Sequence, residues 1–131
     1  MASIFTKIIN GEIPCHKVAE TDHCLAFLDI MPRTKGHTLV VPKREVDQLF
    51  DLSDAEYSEL MSFSKQVATA IKASVPCQRV GVAVIGLEVP HAHVHLIPIN
   101  TMEDMNFQRP HVQMEVEEMK LIAKTINEKL L

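Results

Sequence analysis

The sequence predicts an α+β fold, with an antiparallel sheet of about five strands and two main helices packed on it. Three observations predict this class: five short apolar segments bounded by turns, two longer segments with apolar residues at helical spacing, and a final pair of strand segments too close together for a parallel crossover. With 131 residues, 47% of them hydrophobic, the chain has the size of one domain. We therefore expect a single domain over residues 1–131.

The first part of the chain predicts one short helix and three strands. SIFTKIINGE fits a short helix that ends at Asn10-Gly11. CHKVAET and CLAFLD are short strands joined by a polar turn at Thr21-Asp22, and HTLVVPK is a third strand, ended by Pro42.

Residues 53–74 carry the clearest helix signal in the sequence. Ser53 and Glu56 have the spacing of a capping box. Pro76 disfavours helical geometry at Val75, so we expect the helix to end before it. The residues expected on the packed face follow at every third or fourth position: Leu60, Met61, Ser64, Val67, Ala68 and Ile71.

The second part of the chain predicts a hairpin and a last helix. RVGVAVIG and VPHAHVHLIPI are separated only by the residues around Gly86, Leu87 and Glu88, which predicts an antiparallel pair. RVGVAVI is apolar on both alternating faces, which favours a strand at the centre of the sheet or at a subunit interface. The last helix is expected from about residue 112 to 130, with an apolar stripe of Val112, Val116, Met119, Ala123, Ile126 and Leu130.

The composition argues against several classes of partner. A formal net charge of −4, with no long basic run, gives no electrostatic footprint for nucleic-acid binding. The first residues lack the pattern of a signal peptide, and no segment approaches the roughly 18 apolar residues of a membrane span. Cys15, Cys24 and Cys77 suggest neither a disulfide framework nor a zinc ribbon. We expect a cytoplasmic protein that binds neither nucleic acid nor a membrane.

The strongest functional signal is HAHVHLIPIN, residues 91–100, where three of the seven histidines alternate with apolar residues. On a strand, His91, His93 and His95 share one face at intervals of roughly 6 to 7 Å. Three interpretations of these histidines are open: polar residues on a solvent-exposed face of the sheet, a set of metal ligands, or an anion site in which one imidazole is a nucleophile and the others donate to phosphate. Because a straight row does not converge on one ion, phosphoryl chemistry with His93 as nucleophile fits better.

In its context this row resembles the signature of the histidine triad (HIT) family of nucleotide hydrolases and transferases. SIFTKIINGEIP, CLAFLDIMPRTKGHTLVVPK and VPHAHVHLIPI are similar, in the same order, to segments of bacterial members, so the resemblance covers most of residues 3–100. It implies a dimeric, HIT-like α+β domain that binds a purine nucleoside monophosphate moiety and cleaves the bond between the α-phosphate and a leaving group. No cofactor is implied.

The resemblance also implies roles for individual residues. His93 aligns with the nucleophile that forms a nucleotidyl-histidine, and His95 with the histidine that contacts phosphate oxygens. His91 aligns with the residue whose backbone carbonyl orients the nucleophilic ring, His37 with a further active-site histidine, and Asp29 with the acidic residue that holds the ribose hydroxyls. The apolar walls of the base pocket correspond to Phe5, Ile8, Phe27 and Ile30. From the residues alone, Asp29 is a turn residue and both phenylalanines are core.

The chain departs from the family at two places. Many bacterial members bind zinc through two cysteines and a histidine together with the first triad histidine; Ser3, Thr6 and Glu45 stand here instead, so we expect no metal. The loop before the triad is short, with Leu87 where the family has a glutamine that donates to the α-phosphate. Loss of one such donor costs about 10² to 10³ in rate. Two functions stay open: a nucleoside 5′-phosphoramidate hydrolase, and an AMP-binding or sensing dimer with weak or no hydrolase activity.

Overall fold

The computed structural model describes residues 2–130, which form one sheet with helices on both faces. The termini of the expected domain, Met1 and Leu131, lie outside the described residues. The helices are α1 (Ile4–Ile9), α2 (Asp54–Ser74) and α3 (Val116–Glu128); the strands are β1 (Lys17–Glu20), β2 (Cys24–Leu28), β3 (Thr38–Pro42), β4 (Arg79–Ala83) and β5 (Val94–Ile99). Short 3-10 helices span Leu49–Asp51 and Met102–Met105. Among these described helices, none is long and apolar enough to cross a membrane.

The five strands are all paired antiparallel, in the order β1-β2-β3-β5-β4. This confirms the predicted α+β class with about five strands and two main helices. Phe27 pairs with Leu39, and Leu39 pairs with His95, so these three residues form one row across β2, β3 and β5. The register therefore puts a triad histidine beside apolar residues from two other strands.

The sheet has two different faces because successive side chains of a strand alternate in direction. One face packs on α2 and α3 in the main core, to which Ala26, Val40 and Val94 contribute. The opposite face carries a smaller cluster of Phe5, Leu25, Phe27, Leu39 and Val41, in which α1 supplies Phe5. We call this group the α1 cluster. All residues of β2 and β3 are buried, since both faces are covered there.

Helix α2 has the predicted limits and the predicted cap. The Ser53 hydroxyl accepts the Glu56 N–H at 3.1 Å, and the Glu56 carboxylate accepts the Ser53 N–H at 3.0 Å, which confirms the capping box. The helix ends at Ser74, before Pro76. Its buried face consists of Leu60, Phe63, Ser64, Val67, Ala70 and Ile71.

The predicted position of β4 at the centre of the sheet is wrong. β4 is an edge strand, and its residues are half-buried or exposed. It pairs antiparallel with β5 as predicted, but the connection is longer, residues 84–93. The other predicted alternative for this apolar strand, a subunit interface, stays a prediction.

Two predicted element limits are also wrong. β5 begins at Val94, because the preceding residues make hydrogen bonds outside the sheet; the Ala92 N–H, for example, donates to the Val46 carbonyl at 2.7 Å. α3 begins at Val116, and Val112 lies outside it, with its N–H donated to the Pro32 carbonyl at 2.9 Å. Both start later than predicted because main-chain groups pair with distant loops.

Candidate active site

The imidazole of His93 is oriented by the main chain just before β5. Its Nδ1 lies 2.7 Å from the carbonyl oxygen of His91. Since a carbonyl only accepts, Nδ1 carries the proton, and in the neutral ring Nε2 carries the lone pair. The ring packs edge-on against Phe5, with 4.9 Å between centroids. His93 borders a cleft of about 260 Å³ formed with residues 47–50 and 84–86.

His37 and His95 form a buried, hydrogen-bonded pair with fixed donors. The backbone N–H of Arg33 donates to Nδ1 of His37 at 2.9 Å, so the proton of the neutral His37 ring is on Nε2. That Nε2 lies 2.9 Å from Nδ1 of His95 and donates to it, which leaves the His95 proton on Nε2. The rings of His93 and His95 have centroids 4.9 Å apart. His93 therefore offers a lone pair at Nε2, and the neighbouring His95 offers an N–H at Nε2.

Burial keeps the His37–His95 pair uncharged. It lowers the pKa of His37 to about 3, reinforced by the nearby His95 and the positive charge of Arg33. It likewise lowers the pKa of His95 to about 4, with His93 and Arg33 acting in the same direction. Both rings are thus neutral at physiological pH, as the assignment of their protons requires.

Asp29 follows β2 and lies beside the same pair. Its Oδ1 accepts the Met31 N–H at 2.8 Å, and its Oδ2 lies 3.6 Å from Nε2 of His37. Because His37 is neutral, this contact is not a salt bridge. Burial raises the pKa of Asp29, although the bond from Met31 and the charge of Arg33 oppose the rise. The side chain is 19% exposed, which leaves part of the carboxyl group open to a ligand.

By distance alone, Asp29, His37 and His95 resemble a metal-binding group, since one ligand atom of each lies within 4.8 Å of the others. The donor set does not fit a metal. The His37 atom that faces the other two is Nε2, and it holds the proton because Nδ1 accepts the Arg33 N–H. A metal ligand needs a free lone pair at that atom. The pair fits hydrogen-bond donation instead.

The three triad histidines do not all lie on one strand as predicted, because His91 and His93 precede β5. Their rings nevertheless lie on the same side, since the Phe5 ring contacts those of His91 and His93, and the centroids of His93 and His95 are 4.9 Å apart. The His91 ring is fully buried, and its Nε2 lies 2.8 Å from the carbonyl oxygen of Pro42. Its Nδ1 lies 2.7 Å from the hydroxyl of Ser3. Burial lowers the pKa of His91, partly offset by the bond to Pro42, so its ring is a neutral structural link.

The apolar residues expected around a base do not all come together. Phe5 and Phe27 pack edge to face, with 5.7 Å between centroids, and Ile8 packs against the same α1 cluster. Ile30 is 69% exposed and lines a separate groove between β1 and α3. The structure therefore joins three of the four side chains and leaves Ile30 apart.

Sequence reasoning missed Phe107, which covers the His37–His95 pair. The Phe107 ring packs edge-on against His95, with 4.9 Å between centroids. The Arg33 guanidinium lies 5.8 Å from the centre of the Phe107 ring and donates to the carbonyls of Asn106 and Arg109. No motif in residues 101–112 signals this contact, because it depends on tertiary packing.

Comparison with known proteins bears on this arrangement. A family model described as the HIT domain matches residues 10–102, more than half of the chain. The chain belongs to the HIT family. Among its HIT relatives, the adenosine 5'-monophosphoramidase of Schizosaccharomyces pombe is 36% identical over 132 residues, with 99% of each chain covered. The adenosine 5'-monophosphoramidase of Saccharomyces cerevisiae is 41% identical over 99 residues, covering 74% of this chain and 62% of the relative.

Solved structures share the HIT fold. A Hit-like protein from Bartonella henselae, described as involved in cell-cycle regulation, superimposes with a TM-score of 0.85 at 30% identity, covering 98% of this chain and 96% of that one. A Zn-bound histidine triad family protein from Mycobacterium smegmatis gives a TM-score of 0.82 at 25% identity, covering 98% and 95%. The HIT relatives thus include yeast as well as bacterial proteins.

Proposed function

We propose that this HIT protein is a nucleotide hydrolase that cleaves the α-phosphate bond of purine nucleoside 5′-phosphoramidates or related nucleotide conjugates. The observation that carries the proposal is the pair of neighbouring imidazoles with opposite tautomers. His93 offers a lone pair at Nε2, and His95 offers a proton at Nε2. Family membership and the two yeast adenosine 5'-monophosphoramidases among the relatives support the same activity.

The reaction begins with attack by His93. A bond forms between its Nε2 and the α-phosphorus while the bond from phosphorus to the leaving nitrogen breaks, and the departing amine takes up a proton from solvent water. The His95 N–H and backbone amides stabilise the negative charge on the non-bridging oxygens. The imidazole of the nucleotidyl-His93 keeps its proton on Nδ1, which still donates to the His91 carbonyl, and the ring is therefore cationic. Water then attacks phosphorus and releases a proton to solvent, the P–N bond breaks, and its electron pair returns to Nε2 of His93; no metal or cofactor takes part.

The nucleotide is held by groups around this pair. We assign the ribose hydroxyls to Asp29, whose carboxylate has acceptor capacity beyond its bond from Met31. The purine base lies over the α1 cluster, against Phe5, Ile8 and Phe27. His37 acts through His95, because it fixes the proton that His95 presents.

The second candidate is a nucleotide-binding or sensing protein with little hydrolase activity. Leu87 favours it, since this apolar side chain is 90% exposed and cannot donate to a phosphate. Both candidates share the same nucleotide pocket. Turnover is what separates them.

The test is release of AMP from adenosine 5′-monophosphoramidate at neutral pH with a chelator present. We expect turnover by the wild-type protein and by His23→Asn, which alters an exposed histidine, and a loss of at least about 10³-fold in His93→Asn. Absence of turnover in all three, with AMP still bound, would support the binding protein. Turnover that survives in His93→Asn would contradict the assigned nucleophile.

We also propose a homodimer formed through β4. This edge strand has unpaired main-chain groups, and Val82 and Ile85 beside them are 53% and 48% exposed. Light scattering should give twice the chain mass for the wild-type protein and a monomer for Val82→Glu. A monomeric wild-type protein at high concentration would contradict the proposal.

A cytoplasmic location is also part of the proposal. The three cysteines, all among the described residues, are free thiols. Free thiols are typical of a reducing compartment.

A further inference from the structure

A hydrogen-bond network joins the start of α1 to the triad. Glu45, an exposed residue after β3, accepts the Ser3 backbone N–H at 2.6 Å and the Thr6 hydroxyl at 2.7 Å, both through Oε1. The Ser3 hydroxyl lies 2.7 Å from Nδ1 of His91, and Nε2 of His91 lies 2.8 Å from the Pro42 carbonyl. The network thus runs from the protein surface to a fully buried imidazole.

The donors and acceptors of this network have one consistent assignment. The Pro42 carbonyl only accepts, so Nε2 of His91 carries the proton and Nδ1 accepts. The Ser3 hydroxyl oxygen accepts the Thr6 N–H at 3.0 Å, and the Ser3 O–H donates to Nδ1 of His91. The bonds from Ser3 and Thr6 lower the pKa of Glu45, which keeps it an accepting carboxylate at neutral pH. Each donor then has an acceptor.

The network also determines the surroundings of His93. A ring that is hydrogen-bonded at both nitrogens restricts the main chain of its own residue, and the His91 carbonyl is the acceptor for Nδ1–H of His93. The same helix start sets the position of Phe5, whose ring lies 5.8 Å from His91 and 4.9 Å from His93 between centroids. Two contacts that orient His93 therefore depend on how α1 is held.

We propose that Glu45 is a positioning residue for His93, acting through Ser3, Thr6 and the main chain of His91. The inference rests on the proposed role of His93 as nucleophile. Glu45 itself does not line the cleft beside His93. A displacement of a reacting group by about 1 Å, caused far from the chemistry, costs up to about 10² in rate.

The experiment compares Glu45→Ala and Glu45→Gln with the control Glu20→Ala. Glu20 is also an exposed carboxylate with two hydrogen bonds, from Lys17 and Lys43, but it lies on β1 outside the network. The readouts are the single-turnover rate of AMP transfer to His93, the AMP dissociation constant, and the Nδ1–H resonance of His93 in protein labelled with ¹⁵N-histidine. The last readout needs no turnover.

We expect Glu45→Ala to lower the transfer rate about 10- to 100-fold, to weaken AMP binding by a smaller factor because α1 also supplies Phe5 to the base pocket, and to broaden or shift the His93 Nδ1–H resonance. Glu45→Gln keeps an accepting oxygen and should restore most of the rate, and Glu20→Ala should behave as wild type. The inference is overturned if Glu45→Ala keeps both the rate and the resonance. It is equally overturned if Glu20→Ala shows the same loss, or if Glu45→Gln fails to restore the rate.

The two proposals fail in different ways. If the wild-type protein transfers no AMP, the proposed hydrolase fails, and the His93 resonance alone decides whether Glu45 orients the ring. If the wild-type protein is active and Glu45→Ala is indistinguishable from it, only the positioning role fails.

Discussion

His93 and His95 differ in which ring nitrogen carries the proton, and in each case a neighbouring group determines that position. The His91 carbonyl holds the proton of His93 on Nδ1, whereas the backbone N–H of Arg33, acting through His37, holds that of His95 on Nε2. The sequence could indicate three alternating histidines and the family that uses them. It could not assign the tautomers, because these depend on the direction of the His91 carbonyl in the folded chain and on the contact between His37 and the distant His95.

At the same scale, Asp29→Asn tests the ribose contact. Removing the charge should weaken AMP binding about 10- to 100-fold, because hydrogen bonds to a charged acceptor contribute about 1.5–3 kcal/mol. Binding of 2′,3′-dideoxy-AMP should change little, since it lacks the hydroxyls. Calorimetric titration of both ligands measures the difference, with Asp22→Asn in the exposed turn as control. An equal loss of affinity for the two ligands would show that Asp29 does not act through the ribose hydroxyls.

Among the elements, the segment of residues 101–112 covers the His37–His95 pair. Phe107→Ala removes the ring packed on His95 and admits water, so the pKa of His95 should rise from about 4 toward its ordinary value, by about one pH unit or more. An NMR titration of the histidine ring signals gives this pKa directly. Met102→Ala, at an 85% exposed residue of the same segment, should leave it unchanged. An unaltered pKa in Phe107→Ala would mean that other groups desolvate His95.

The elements also show where sequence patterns suffice and where they fail. The limits and cap of α2 were predictable because Ser53, Glu56 and Pro76 act locally. The start of β5 was not, because the Ala92 N–H bonds to the distant Val46 carbonyl and the His91 carbonyl bonds to the His93 ring, which keeps residues 91–93 out of the strand. Because β4 is apolar on both faces, it was predicted to be a buried strand at the centre of the sheet. It is an edge strand with half-buried or exposed residues, since an edge strand with an exposed apolar side chain has the same composition as a central one.

The whole molecule should lose stability in mild acid. His37 has a pKa of about 3 in the folded protein and about 6.5 unfolded, so between these values the unfolded chain binds more protons and acid favours unfolding. From pH 7.5 to pH 5, His37 alone should lower the free energy of unfolding by about 2 kcal/mol. The lowered pKa of His95 acts in the same direction, and the raised pKa of Asp29 opposes both.

Urea unfolding at the two pH values measures this loss. His37→Gln should show a smaller fall in unfolding free energy than the wild-type protein, whereas His16→Gln should show the same fall. The sign is opposite for a histidine whose pKa folding raises, such as His23 beside Glu59. An equal pH dependence in His37→Gln would show that His37 is not held neutral by burial.

The claim that the Nε2 lone pair of His93 is the nucleophile is tested most directly by trapping the intermediate. Wild-type protein is mixed with excess adenosine 5′-monophosphoramidate, quenched in denaturant at alkaline pH, digested and analysed by mass spectrometry. We expect one AMP moiety attached to His93 and absent from His93→Asn. An AMP adduct on another residue, or rapid AMP release with no adduct at any quench time, would contradict the account.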